Sequence, residues 1–343
     1  MQEPVKALDL EYGEWVSLVT ERFGQPRFRA DQICGWIYDK KVFQIHSMTN
    51  LSKELRERLV YELLIMPPVL VREQTSQDGT RKFLWQMEDG ERIEAVLMDH
   101  GNYSTACLSS QAGCPLNCSF CATGQSGFRR NLTVGEIVGQ FLAIEWRSKE
   151  PVSNIVFMGM GEPLLNEDAV LKSIRILHHP KMRNLGARHI TISTSGIVPG
   201  IRNLADSGLP IRLSVSIHAP NDQLRTKLMP VNKRYPLPQL MDALRYYQEK
   251  TGERITVEYV TIDGVNDDPS LAYELAALFS GMSAYVNLIP CNSTDSAFAR
   301  SPLESLKAFG AALAECGLEY EVRREKGSDI DAACGQLRNR TQS

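Results

Sequence analysis

The chain has 343 residues, enough for one large core or two domains, and 38 Lys and Arg stand against 41 Asp and Glu for a net charge of −3. That near-neutral field excludes a partner held by bulk charge alone, so any nucleic-acid site must be a local patch. No apolar run is long enough to span a membrane, and "MQEPVKALDLEYGEW" has charges where a secretory leader needs an apolar core. A cytoplasmic protein is expected, whose eight cysteines stay reduced and serve metal binding or catalysis before disulfides.

Residues 1–65 read as a helical domain. "FRADQICGWIYDKKVF" puts Phe28, Ile33, Trp36, Ile37 and Tyr38 on one apolar face, and "LSKELRERLVYELL" has helical periodicity. "MPPVL" at 66–70 breaks the pattern and predicts a linker. Asp89-Gly90, between the strand-like runs of "TRKFLWQMEDGERIEAVLMDH", predicts a β-hairpin within a 66–103 extension. From residue 104 to 343, strand-like runs alternate with helix-like ones: "STACLSSQ", "NIVFMGMG", "HITISTSG", "IRLSVSIH", "RITVEYVTI" and "YVNLIPC". In "TVGEIVGQFLAIEWRSK", Thr133 and Glu136 form a capping box, and Val134, Ile137, Val138, Phe141 and Leu142 share a face. Six such βα steps predict an α/β catalytic domain with a parallel sheet wrapped by helices, either open or curled into a partial barrel. Such folds place their sites at the C-terminal ends of strands, where "GMGEP", "STSG", "SIH" and "PCN" fall.

Cys114, Cys118 and Cys121 in "CPLNCSFCATG" are spaced C-x-x-x-C-x-x-C. Neither a second C-x-x-C nor an H-x-x-x-H appears to complete a zinc site. Three thiolates suit a [4Fe–4S] cluster with one iron left open for a chelating amine and carboxylate. The methionyl end of S-adenosylmethionine is such a group, and an electron from the cluster could cleave its carbon–sulfur bond to a 5′-deoxyadenosyl radical.

With Phe120 before the last cysteine, and "GMGEP" after the next strand, this loop resembles that of the radical S-adenosylmethionine (radical SAM) enzymes, which use a partial (βα)6 barrel. The resemblance extends through "FRADQI", "WIY", "STSGIVPGI", "SIHAPND", "LMPVN", "EYVTIDGVND" and "NLIP" to the RNA adenine methyltransferases, and within them to the group acting on carbon 2 in 23S rRNA and tRNA. It implies one cluster per chain on Cys114, Cys118 and Cys121, and two S-adenosylmethionine molecules per turnover. It implies cofactor contacts from Gly161, Glu162, Ser193, Ser216, Ile217, His218 and Asn292. In "DIDAACGQL", Cys334 would take a methyl from one S-adenosylmethionine, a displacement that suits a thiolate and not an adenine carbon. The second molecule, cleaved at the cluster, would remove a hydrogen from that methyl, and the resulting radical would add to the adenine. Cys107 would then attack the sulfur of Cys334 and free the methylated base. Glu94 would handle the ring proton.

The resemblance further implies an external one-electron reductant, a monomer, and RNA recognition by the helical domain and the "EDG" hairpin. Arg129–Arg130, Lys233–Arg234, Arg323–Arg324 and Lys326 are candidate phosphate contacts, and single-stranded or loop adenosines are the expected targets. "PCNSTDSAFARSP" departs from the group in lacking a proline- and glycine-rich stretch after the asparagine. Cys34, Cys316 and Cys291 read as structural. Two alternatives stay open: a carbon-8 methyltransferase of the same family, and a non-catalytic iron–sulfur carrier or RNA-binding module, which gives Cys107, Cys334 and "GMGEP" no use.

Overall fold

The computed structural model describes residues 3–292 and 298–337, so part of "PCNSTDSAFARSP" lies outside the described residues. Its main feature is a ten-stranded sheet whose spatial order follows the chain: β1 (Val69–Thr75), β2 (Arg81–Gln86), β3 (Arg92–Asp99), β4 (Ser104–Cys107), β5 (Asn154–Phe157), β6 (Ile190–Thr194), β7 (Arg212–Ser216), β8 (Ile255–Thr261), β9 (Ala284–Pro290) and β10 (Tyr320–Val322). Strands β4 to β10 are all parallel. The six βα steps are the expected ones, and helices such as Val134–Arg147, Glu167–His178 and Leu237–Thr251 return the chain between them. At Val134–Arg147 the capping box is made in both directions, with Thr133 accepting from the Glu136 N–H and Glu136 accepting from the Thr133 N–H.

Side chains of β3 and β4 share one groove with side chains of β9 and Arg323 just past β10. These strands lie on opposite flanks of the sheet, so the sheet curls toward closure and leaves a seam. That is a partial barrel.

The expected hairpin is part of a larger element. β1, β2 and β3 form a three-stranded antiparallel meander, and β3 pairs with β4, which makes the meander a continuation of the barrel sheet. The linker is correspondingly shorter, because Val69 and Leu70 already belong to β1. Periodicity concealed β1, an edge strand with most of "VLVREQT" facing solvent. The second turn carries its own Asp-Gly signal at Asp78-Gly79 and closes with a Ser76 N–H to Thr80 carbonyl bond of 2.8 Å.

The helices Tyr12–Ser17, Phe28–Cys34 and Lys53–Glu62 bury Trp15, Ile33, Cys34, Ile37 and Tyr38. Phe28 departs from the expected face and is half exposed under the Arg29 guanidinium. Trp36 lies beneath the Lys40 ammonium at 3.6 Å. After Cys34 the helix widens into a π turn over Gly35–Asp39, which rotates the apolar stripe away from a regular 3.6-residue period. This helical unit sits on helix Glu167–His178 and the residue after it, through Glu11–Arg175, Glu14–Lys172 and a Tyr12–His179 ring stack of 4.4 Å. No helix among the described residues is long and apolar enough to cross a membrane.

Candidate active site

The cluster loop is shaped by its own backbone. Asn117 takes a left-handed φ of +51°, and Cys121 stands at the N-cap of the turn Ala122–Gln125 without a side-chain capping bond. Burial raises the Cys121 thiol, and the N–H groups of Gly124 and Thr123 partly offset that rise. Ser119 N–H bonds the Leu228 carbonyl, and Ala122 N–H bonds the Gly335 carbonyl at 2.8 Å. Cys114, Cys118 and Cys121 all line one inner cavity. Burial pushes the Cys114 thiol up to about 12, and raises Cys118, where the charges of Cys121 and Cys114 add to the effect.

Among the described residues no three His, Cys, Asp or Glu side chains gather closely enough to hold a single metal ion. Three thiols spread around a cavity wall, one of them facing N–H donors, fit a cluster that takes one thiolate per iron better than they fit a zinc ion.

The strand ends supply the opposite wall. Gly161 has φ +104°, and a Cβ there would come within 2.6 Å of the Gln111 side chain, so glycine serves close packing of this turn as well as any ligand. The Glu162 carboxylate is buried and accepts from Thr194 Oγ1 and Ser195 N, both at 2.7 Å, and from Leu164 N at 3.1 Å. Burial raises its pKa, and these donors partly offset that. Ser193, Ser216 and His218 line the same cavity. His218 has φ +58°, and its Nδ1 accepts from the Val260 N–H at 2.9 Å, which leaves the proton on Nε2. Its ring meets Phe120 edge to face at 4.8 Å, and burial pushes its pKa down to about 3. Ile217 is the exception in this set. Its side chain is fully buried, it does not line the cavity, and its carbonyl accepts from Arg225 Nε at 3.2 Å, because alternate residues beyond β7 face opposite ways.

Cys334 lines both the inner cavity and the seam groove, whereas Cys107 lines the groove alone. Asn292 lines both, and its side-chain amide donates to the Cys334 main-chain carbonyl at 2.9 Å. The Cys107 thiol is pushed up to about 12 by burial and by the charge of Cys334. The meander clamps the Cys334 segment: Asp329 accepts from Ser76 Oγ at 2.5 Å and Gln77 N, Asp78 accepts from Gly327 N at 3.1 Å, and Lys326 donates to the Asp99 carbonyl.

Glu94 is buried in β3 beside Lys82 and is not among the residues lining the cavity or the groove. The register Val96↔Cys107 nevertheless puts Glu94, two residues before Val96, on the strand face that carries Cys107.

Two charged residues of the site were not singled out for it from the sequence. Glu258 in the middle of β8 is buried, and bonds Ser214 Oγ at 3.2 Å and Asn287 Nδ2 at 2.9 Å. Arg323, expected on the surface as a phosphate contact, turns inward and lines both chambers, with Nη1 3.9 Å from Glu258. The charges of Cys334, Glu258 and Cys107 hold its pKa above the usual arginine value. The available signal was an acid inside the apolar run "ITVEYVTI".

Arg130 is likewise occupied, gripped by Asp89 and Glu136 in paired bonds. Cys316 is exposed just past helix Leu303–Glu315, a correction to its structural reading, while Cys34 and Cys291 are buried.

Residues 108–276 match the Radical SAM superfamily, and residues 8–65 match the Ribosomal RNA large subunit methyltransferase N-terminal domain. The chain is 51% identical to the probable dual-specificity RNA methyltransferase RlmN of Thermotoga neapolitana, over 96% of each chain. It is 49% identical to the protein of the same name from Geobacillus kaustophilus, over 96% of this chain and 90% of that one. The crystal structure of a radical SAM methyltransferase from Sphaerobacter thermophilus superposes with a TM-score of 0.94 at 46% identity, covering 98% of this chain and 99% of that one. A barrel carrying three cavity-facing thiols, with near-full-length relatives of this identity, places the chain in the RlmN family of radical SAM RNA methyltransferases.

Proposed function

We propose that this methyltransferase modifies carbon 2 of an adenosine in 23S rRNA and in tRNA, with Cys334 as the methyl carrier and Cys107 as the resolving thiol. The observation that carries the reading is the position of Cys334, which alone of the two cysteines lines both the cavity of the cluster loop and the seam groove of Cys107. Cys114, Cys118 and Cys121 hold one [4Fe–4S] cluster, and Gly161, Glu162, Ser193, Ser216, His218 and Asn292 receive S-adenosylmethionine. Bound there, these groups supply the electron and the radical chemistry that activate the carrier methyl.

The chain's own residues do the remainder. Cys334 gives up its proton, and its sulfur bonds the methyl carbon as the sulfonium bond of S-adenosylmethionine breaks. The Arg323 guanidinium lines the same two chambers as Cys334. Neutral His218 keeps Nε2–H as a donor toward the cavity. Glu94 takes the ring proton once the base is joined to the carrier, and its place on the Cys107 face supports that role. Cys107 gives up its proton and attacks the Cys334 sulfur, so that an S–S bond forms and the S–C bond breaks. The electron pair of that bond goes to the methylene carbon, which takes a proton as the methylated base leaves. The external reductant then supplies two electrons to return the disulfide to two thiols. The nucleotide enters through the seam, and the site acts on a base held out of its stack. The protein works in the cytoplasm as a monomer, with an external reductant supplying electrons.

Mass spectrometry of nucleosides from treated rRNA and tRNA tests this. The expected product is 2-methyladenosine in both RNAs. 8-Methyladenosine would move the protein to the carbon-8 group, and unmodified RNA with intact S-adenosylmethionine would leave only a carrier or binding role.

A further inference from the structure

Lys82 is a buried cation at the start of β2. The sheet register sets it opposite Val96, which is itself opposite Cys107, and Glu94 lies diagonally across the β2–β3 pair on the same face. Lys82 Nζ is 3.3 Å from the Glu94 carboxylate, and both side chains are under a tenth exposed. The same ammonium donates to the main-chain carbonyl of Asp331 at 3.1 Å. Asp331 stands three residues before Cys334. A buried ion pair gains little stability over an apolar pair, because desolvation offsets the attraction. Here the ammonium sits between a carboxylate on the sheet and the segment that carries a cysteine of the site.

We propose that Lys82 is a positioning residue for the methyl transfer, whose ammonium keeps Glu94 ionised and ties it to the Cys334 segment. The proposal rests on the reading of Glu94 as the acceptor of the ring proton. A carboxylate that loses its buried counter-ion shifts toward its neutral form, and neutral Glu94 cannot take a proton. The other titratable or charged groups on the elements packed around the pair are Arg81 on β2, Arg92 and Asp99 on β3, Cys107 on β4, Arg323 past β10, and Asp329, Asp331 and Cys334 on the segment. Cys107 is pushed up to about 12 and Arg323 stays charged, so neither titrates on the acidic side. Asp331→Asn controls for the Asp331 carboxyl, and the Ser76 hydroxyl and Gln77 N–H hold Asp329 below the usual carboxylate range.

The test uses cluster-loaded enzyme and transcribed ribosomal RNA. Rates of RNA methylation are followed across pH for wild type, Lys82→Met, Lys82→Arg, Glu94→Gln and the double variant Lys82→Met with Glu94→Gln. Lys82→Met is expected to move the acidic limb upward by about one pH unit, roughly a tenfold loss on that limb, with the rate recovering at alkaline pH. Lys82→Arg keeps the limb in place. Amide exchange over residues 328–334 is expected to quicken several-fold in Lys82→Met and in the double variant.

An unmoved limb in Lys82→Met, with Glu94→Gln inactive, overturns the link to Glu94 and spares the reading of Glu94. Unchanged exchange overturns the tie to the segment. Wild-type rates in Glu94→Gln defeat the reading of Glu94 and this inference with it. If Lys82→Met fails to fold while the double variant folds, the uncompensated Glu94 charge is the cause and the pairing is upheld. If both fail while Glu94→Gln folds, Lys82 acts without Glu94 and the proposal falls.

Discussion

Asn292 donates its side-chain amide to the main-chain carbonyl of Cys334 at 2.9 Å, so a residue at the end of β9 fixes a cysteine 42 positions later in the chain. Asn292 lines both chambers. Asn292→Asp keeps the shape and removes the donor. It also sets a charge against the Cys334 carbonyl. A stability loss of about 1 kcal/mol is expected from the bond alone. The methylation rate should fall at least tenfold, measured as 2-methyladenosine formed per enzyme. A variant equal to wild type in both respects would remove Asn292 from the site.

Replacing Cys114, Cys118 or Cys121 by Ala is expected to abolish cluster loading and reductive cleavage of S-adenosylmethionine. Iron and sulfide analysis after anaerobic reconstitution is the first measurement, and product analysis after reduction is the second. Only Cys118 of the three is buried, so thermal melting of the apo-protein should change little for Cys114→Ala and Cys121→Ala and fall slightly for Cys118→Ala. A single variant that still cleaves the cofactor would sink the assignment of that cysteine.

Much of this was legible because local pattern and tertiary fold agree. The six βα steps alternate apolar strands with capped amphipathic helices, and their site residues follow β-strands, as in "STSG" and "SIH". Register and curvature were not legible. Arg323 reads as half of a surface Arg-Arg pair until curling of the sheet brings the end of β10 to face β4. Lys82, and Glu94 apart from the family resemblance, read as ordinary charges of a solvent-exposed hairpin until the meander joins the barrel and the Cys334 segment covers them. Periodicity measures one segment at a time. These residues owe their burial to segments more than a hundred positions away, and no local signal carries that.

Gly161 offers a test of the turn itself. Its φ of +104° is strained for any residue with a Cβ, and the added carbon would press on the Gln111 side chain at 2.6 Å. Gln111 accepts from the Glu162 N–H at 2.9 Å, so the clash is transmitted to Glu162. Gly161→Ala is expected to cost about 1–3 kcal/mol in denaturant unfolding and to weaken S-adenosylmethionine binding, read by calorimetry. Unaltered stability together with unaltered affinity would contradict the described turn.

His218 gives a pH signature. Its pKa is lowered to about 3 in the fold by burial, with the Arg225 charge adding, while an unfolded histidine titrates at its ordinary value of 6.5. Between those values the unfolded state binds the extra proton. Stability therefore falls as pH drops from about 6.5 toward 3 and is indifferent to His218 above that window. His218→Gln should flatten this acid-side loss in urea unfolding, and the wild-type slope should persist only if other groups cause it. The neutral ring also predicts that the methylation rate shows no histidine-like step between neutral and mildly acidic pH.

The roles of Cys107 and Cys334 separate in a single experiment. If Cys334 is the carrier and Cys107 only resolves, loss of Cys107 leaves methylation of Cys334 and radical addition intact. The reaction then stalls with RNA joined to Cys334. Cys107→Ala with substrate RNA is expected to give a protein–RNA band on a denaturing gel, and the double variant Cys107→Ala with Cys334→Ala should give none. Cys334→Ala alone should load its cluster, since it lies outside the three-cysteine loop, yet transfer no methyl. Peptide mass analysis of active wild type should find the added carbon on Cys334. Cys107 is buried on β4 against the β3 face, so its removal also opens a small cavity, and a melting curve accompanies the gel. A destabilised protein without the band would return Cys107 to an ordinary packing role. A well-folded Cys107→Ala enzyme that releases methylated RNA at the wild-type rate would defeat the pairing and the disulfide step together.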